Sequence, residues 1–414
     1  VAGHTYQAPR GTFDVLPDAA RARARIERTA AAIFARAGYE PIATPSFEDT
    51  ELFERGVGHS TDIVRKEMFT FEDKGGRSLT LRPEGTAPIC RAYLEHGMQK
   101  LAQPVKLSYL GPFFRHERPQ AGRYRQFHQL GAEAIGTGSP LADAEAIGLL
   151  AELLAELGVP GVALRLGSLG SLEAREAYLE ELKAHLRAHE GELSNEVRER
   201  IDANPLRAFD SDDEGTRGVM AAAPKLVERL DGEDAEHFEE VRALLGASGV
   251  EYEIDPTLVR GLDYYTRTIF SFVCDRLGAQ SEIGGGGRYD GLVEQLGGPS
   301  TPAVGWAAGI ERIVLALDEE EAATGRDVFI AVAEADQGRR AMVLAGELRK
   351  AGLSAEVDLA GRGLKGQLKH ADRIGARRVL ILEAEGAQLR DMQSGEQRPV
   401  ETARLVDEVT RSGS

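Results

Sequence analysis

Hydrophobic and polar positions alternate along 105–114 and again along 123–135, which predicts two strands around a polar loop at 116–122. Before them, the alanine- and arginine-rich run 17–38 predicts one helix, capped by Asp18 and ended by Gly38. The extended stretch 39–45 is broken by Pro41 and Pro45, and Pro45 suits an edge or an interface better than a central strand. Runs 69–71 and 79–82 flank Asp73-Lys74-Gly75-Gly76, a hairpin signal, and 83–96 reads as a helix. After the strand pair come a helix at 142–157 and a strand at 162–166. Residues 170–248 differ: charged helical patterns and an acidic run (210–214) predict an inserted helical segment with its own small core. Strand-like sequence resumes near Tyr252 and at 268–274; a glycine run at 284–287 precedes a helix, and 303–317 closes the main body. Beyond an expected linker at 319–326, strands at 328–332, 355–357 and 379–382 alternate with helices, predicting a small α/β domain with a mainly parallel sheet.

The chain has 414 residues, enough for two to four domains at roughly 100–200 residues each. Apolar residues make up 42%, sufficient for real cores, yet no apolar run approaches the roughly 20 residues of a membrane span. No membrane partner and no secretory signal are therefore expected. Two cysteines cannot build a disulfide framework, and a reducing, cytoplasmic setting is the expectation. Net charge is −17, which argues against binding polyanions through the whole surface. From Arg326 onward, however, 15 basic side chains meet 14 acidic ones, whereas the rest holds 35 against 53. A nearly neutral tail on an acidic body can hold a local nucleic-acid site.

The strand pair carries the most chemistry. One parity presents Tyr109, Phe113 and Arg115, then Arg123, Arg125, Phe127, Gln129 and Glu133. Cations at the loop end suit phosphates, Phe127 can stack on a base, and Gln129 with Glu133 can hydrogen-bond a small polar ligand; a solvated sheet of mixed charge is the plain alternative. Glu84 and Thr86 stand where they can cap a helix or hold an ammonium group. Residues 260–267 pack Arg260, Asp263, Tyr264, Tyr265 and Arg267 around one glycine. The run 284–287 lets a backbone come close to a ligand or makes a turn; no Walker loop follows it. Arg312 at a helix start can meet a phosphate or an ordinary acidic neighbour. His116 and His128 lie in the candidate site, but no Cys-x-x-Cys pattern exists and no zinc or other protein-held metal centre is expected.

These residues resemble the motifs of histidyl-tRNA synthetases, class II aminoacyl-tRNA synthetases, over nearly the whole length. Residues 38–48 with Pro45 resemble the class dimer-interface motif, 114–129 the second motif and 309–312 the third. Residues 258–266 and 285–292 resemble two stretches peculiar to the histidine enzymes. The resemblance implies an α+β catalytic domain with an antiparallel sheet, in two parts at 1–169 and 249–320 around a helical insertion at 170–248. An α/β anticodon-binding domain follows at 326–414. It implies that Arg115 and Arg260 are catalytic, at the α-phosphate and the histidine carboxylate. Glu84, Thr86, Gln129 and Glu133 would hold the ammonium or nearby polar atoms, and Tyr264 and Tyr265 the imidazole. Glu117 and Phe127 would take the adenine, and Arg123 and Arg312 the distal phosphates of an ATP accompanied by Mg2+. The strip Arg362, Lys365, Lys369 and Arg373 is the candidate contact to a histidine tRNA, and a homodimer is implied. The alternative is a non-catalytic paralogue serving as a regulatory subunit of ATP phosphoribosyltransferase.

Overall fold

The computed structural model describes residues 6–58, 61–317, 325–384, 386–401 and 405–411. The chain divides into two compact units, Val1–Glu320 and Glu321–Ser414. Most of the linker expected at 319–326 lies outside the described residues.

The first unit is built on an eight-stranded sheet. In order, its strands are Glu40–Pro41, Val105–Phe114, Gln126–Ile135, Ala303–Gly309, Glu282–Arg288, Thr266–Cys274, Val162–Ser168 and Glu253–Ile254. Neighbours pair antiparallel except at the two short edge strands, which pair parallel. Along Gln126–Ile135 alternate side chains take opposite faces. Leu130, Ala132 and Ala134 join Phe270 and Trp306 on one face, where Ile26, Ile33, Leu150, Phe238 and Ile313 cover them. These come from the helices Pro17–Arg36, Pro140–Glu156, Gly232–Ala247 and Ile310–Leu317. Each such buried side chain stabilises the layer by about 1.5–3 kcal/mol. Phe127, Gln129 and Glu133 take the other parity, so the apolar layer on one face fixes what the other face displays.

A smaller sheet, Phe47–Asp49, Ser78–Leu81 and Phe69–Glu72, contains the expected hairpin and leads into the helix Thr86–Glu95. Pro45 lies in no strand; it connects the edge strand Glu40–Pro41 to Phe47–Asp49.

Three expectations change. Asp18 does not cap the first helix: Leu16 is in the cap position, Pro17 opens the helix without needing an N–H partner, and Asp18 pairs with Arg21. The glycine run is no turn but part of the inner strand Glu282–Arg288. Its neighbours leave no space for side chains: a Cβ on Gly286 would lie 2.0 Å from the Gly305 carbonyl oxygen. The segment 170–248, expected to be an insertion with its own small core, has no separate core either. Leu182, Leu186, Val197 and Met220 are continuous with Tyr93, Tyr264 and Tyr289, while Phe238 and Val241 belong to the layer over the sheet.

In the second unit, Ala355–Val357, Val328–Val332 and Arg378–Leu382 are parallel as expected. Two further strands, Ala387–Asp391 and Gln397–Val400, extend the sheet antiparallel. The last carries Pro399, whose missing N–H an edge strand tolerates, so its sequence gave little strand signal.

Candidate active site

Against the other face of the large sheet two carboxylates are buried. Glu84 accepts the backbone N–H groups of Thr86 at 2.8 Å and Ala87 at 3.0 Å, which anchors the start of the helix Thr86–Glu95. Its Oε2 also accepts the Tyr264 hydroxyl at 3.3 Å. Of the two roles weighed for Glu84, these bonds show the one at the helix start. Glu133, fully buried, accepts the Thr86 hydroxyl at 2.8 Å and the Tyr289 hydroxyl at 2.6 Å. Burial raises the pKa of both acids, Glu133 to about 8, against the lowering effect of their donors. Glu133 fits because Gly305 stands opposite: a Cβ there would lie 1.6 Å from its Oε2.

Tyr264 and Tyr265 are adjacent in sequence, yet their rings lie 4.7 Å apart because they sit in a turn before the strand Thr266–Cys274 begins. Tyr264 also meets Tyr289 edge-on at 5.7 Å. Arg260 is 5.8 Å from the Tyr265 ring and donates to Glu282 at 2.7 Å. Burial opposes the charge of Arg260, but Glu282 and Tyr265 raise its pKa overall. Burial likewise opposes the charge of Glu282, and Arg260 and Arg312 outweigh it.

Towards the loop end the charge turns positive. Arg115 donates to the Pro83 carbonyl at 2.9 Å, and its guanidinium carbon stands 5.3 Å from the Phe127 ring centre. Glu117 lies between Arg115, at 3.8 Å, and Arg123, at 3.3 Å. Among the described residues Arg312 does not make the acidic side-chain pair of its plain reading; it donates to the backbone carbonyls of Gly122, at 3.2 Å, and Glu282. The electrostatic interactions of Arg312 with Arg115, Glu117, Arg123 and Glu282 put these groups in one neighbourhood, and Arg115 reaches Glu84 in the same way. Among the described residues, Gln129 Oε1 and Arg260 Nε are buried without a hydrogen-bond partner. A buried polar atom costs free energy unless a partner meets it.

Not every residue of the sequence pattern joins this site. Arg125 lies beyond the strand, against Gly11. His128 has the opposite parity to Phe127, and Glu311 receives its backbone N–H and its ring nitrogen Nδ1 at 2.9 Å. His116 is exposed beside Phe69. A histidine pair at four-residue spacing does occur, His185 and His189, but one ring nitrogen of each faces a backbone carbonyl: Nε2 of His185 that of Val219, and Nδ1 of His189 that of His185. The strip on the helix Leu364–Arg373 and just before it is exposed: Lys365, Lys369 and Arg373 recur every fourth residue, and Arg362 pairs with Asp358.

A profile described as "Histidyl-tRNA synthetase" matches residues 11–313, and one described as "Anticodon binding domain" matches residues 327–412. The chain belongs to the histidyl-tRNA synthetase family. A histidine–tRNA ligase from Halothermothrix orenii is 46% identical over 98% of this chain and 99% of its own length. Another from Rubrobacter xylanophilus is 48% identical over 96% and 97%. The crystal structure of an apo histidyl-tRNA synthetase from S. aureus superposes with a TM-score of 0.82 at 36% identity, covering 98% of this chain and all of the other. The fold is that of a class II synthetase catalytic domain followed by an anticodon-binding domain.

Sequence reasoning about this family member missed Tyr289, Glu282 and Glu67. Tyr289 stands inside the quoted stretch 285–292 and was readable there as a phenol at a strand end. Glu282 partners Arg260 only through the pairing of distant strands, and Glu67 reaches Arg115 and Glu117 through tertiary packing.

Glu133 gives a pH prediction. Its pKa rises from 4.5 unfolded to about 8 folded, so the stability of its protonated state is full below 4.5 and is lost as pH rises through 8. For the ligand-free protein, Glu133→Gln should flatten the fall in Tm between about pH 5 and about pH 8.5. Equal slopes for the two proteins in a melting series would show that Glu133 stays ionised throughout.

Proposed function

We propose that this chain activates L-histidine with ATP and transfers it to a histidine tRNA. The observation that carries the reading is the partition of one site into a buried acidic, phenolic end and a cationic end, on a chain matched from end to end by histidine–tRNA ligases. Glu84, Thr86, Gln129 and Glu133 receive the substrate ammonium and its neighbouring polar atoms, and Tyr264 and Tyr265 flank the imidazole. Phe127 stacks on adenine and Glu117 accepts from it. Arg123 and Arg312 take the distal phosphates of ATP, which brings its Mg2+ as part of the substrate. Arg115 and Arg260 hold the α-phosphate.

A histidine carboxylate oxygen attacks the α-phosphorus, a P–O bond forms, and the bond to pyrophosphate breaks. The tRNA 3′-terminal hydroxyl then attacks the activated carbonyl carbon and AMP leaves. Fixed cations and orientation do this work without a protein nucleophile. Residues 1–169 and 249–320 form the catalytic part in this reading, 170–248 the insertion and 326–414 the tRNA reader. The regulatory-subunit alternative is not favoured: Arg115, Glu117, Arg260 and Arg312 are all present, and the second profile covers the C-terminal unit. Among the described residues no helix is long and apolar enough to cross a membrane, and both cysteines are free and buried. A cytoplasmic setting remains the expectation.

ATP–pyrophosphate exchange tests the first step. Histidine should support it at least about 100-fold better than other amino acids, because analogues leave buried polar groups unpaired. Arg260→Ala should slow exchange about 100-fold, the loss of roughly 3 kcal/mol of transition-state stabilisation. Exchange with another amino acid at equal rate overturns the substrate; a variant with normal specific activity overturns the role of Arg260.

The tRNA step is tested by removing residues 326–414. Charging should suffer far more than histidine-dependent exchange, and reversing Lys365 and Lys369 should raise the KM for tRNA and flatten its salt dependence by roughly one log–log unit per lost phosphate contact. Unchanged KM for tRNA in the active truncated enzyme would move RNA recognition to the body and the insertion.

A symmetric homodimer completes the reading. Phe47 and Phe71, 49% and 43% exposed, meet edge-on at 6.2 Å on the small sheet beside the 38–48 segment, an apolar surface that a two-fold contact would cover. Light scattering at micromolar concentration should read twice the 44.8 kDa of one chain; a monomer contradicts it.

A further inference from the structure

We infer that Arg175, on the inserted helix Leu172–Ala188, is a positioning residue for histidine recognition. The two tyrosines placed at the imidazole stand in the segment 259–265, which belongs to no strand or helix. Such a segment has no ladder of backbone hydrogen bonds to hold its shape. Arg175 supplies one from outside. Its guanidinium donates to the Tyr265 carbonyl at 2.7 Å, and through both terminal nitrogens to the Asp263 carbonyl at 3.2 Å. The fork of one guanidinium thereby fixes two carbonyls on either side of Tyr264, a geometry that one lysine ammonium cannot reproduce.

The insertion grips this segment at two further points. Asn204 donates to the Asp263 carboxylate at 3.1 Å. Beyond the tyrosines, Arg267 holds a left-handed backbone with φ 46°, a strained state for a non-glycine residue. Its side chain donates to Asp234 at 3.0 Å, and its N–H donates to the Gly170 carbonyl. A strained residue persists where its surroundings over-determine it, and here the inserted segment supplies those surroundings. The insertion thus holds the backbone around the tyrosine pair, together with the Val57 carbonyl that accepts the Asp263 N–H. Of the arginines proposed to face phosphates, Arg115, Arg123 and Arg312 stand on other elements, and Arg260, earlier in the same segment, is anchored separately on Glu282.

The inference rests on the proposed role of Tyr264 and Tyr265, and steady-state exchange separates the two. The full-length enzyme is compared with Arg175→Met and Arg175→Lys, varying histidine and ATP independently. Arg175→Met should raise the KM for histidine about tenfold or more and leave the KM for ATP within about twofold; Arg175→Lys should fall between. If the methionine variant does not fold, the lysine variant decides, with a rise of about threefold expected for histidine alone. An unchanged histidine KM in a folded variant, or an equal rise for both substrates, overturns the positioning role. Wild-type enzyme without histidine-dependent exchange overturns the underlying reading instead.

Discussion

Two carboxylates without solvent form the constraint on which the rest of the site depends. Glu84 and Glu133 interact electrostatically across a buried space, and each negative charge there is expensive unless it is met by donors or by a cation. The surrounding structure is arranged around that cost. The helix Thr86–Glu95 begins where it does because its first amides bind Glu84. Tyr264 and Tyr289 turn their hydroxyls inward to Glu84 and Glu133, and Thr86 links the helix to the sheet through Glu133. Gly305 and the neighbouring glycine strand keep the layer thin enough for a carboxylate to lie on it. In the proposed binding mode, the substrate ammonium favours the ionised form of both acids, so ligand charge and protein charge stabilise one another.

The cationic end obeys the opposite logic. Arg115 and Arg123 repel Arg312, and each cation of the site is moderated by a carbonyl or an acid: Arg115 by Pro83, Arg123 by Glu117, Arg260 by Glu282 and Arg312 by Gly122. Arg260 and Glu282 share a partly exposed ion pair whose partners come from different segments, one irregular and one in a strand. Such a pair adds little net stability but fixes where the charge stands. A polyanionic ligand has these cations already oriented and does not have to order them.

Much of the large sheet was legible because alternation is a local property. The strand Val105–Phe114 and most of Gln126–Ile135 follow from period-two patterning, and with them the side-by-side placing of Phe127, Gln129 and Glu133. The helix Pro140–Glu156 and the parallel strands of the second unit follow from equally local signals. The glycine run was not legible. Glycines carry no strand propensity, and only the closeness of Phe270, Gly305 and Trp306 on neighbouring strands explains why side chains are excluded there. The inserted helices looked self-sufficient because amphipathic patterns do not say what covers the apolar face; here the catalytic body covers it.

By itself, then, the sequence determined which residue types were available and which of them share a strand face. Those two facts already suited a ligand with phosphates at one end and a small polar group at the other, beside the plain alternative of a solvated sheet of mixed charge. Tertiary structure alone decided which groups meet across the chain: Glu84 with Tyr264, Glu133 with Tyr289, Arg260 with Glu282 and Arg175 with the carbonyls of Asp263 and Tyr265. Each pair is separated by many residues and carries no periodic trace, because its energy arises only when desolvation forces a buried polar group to find a partner.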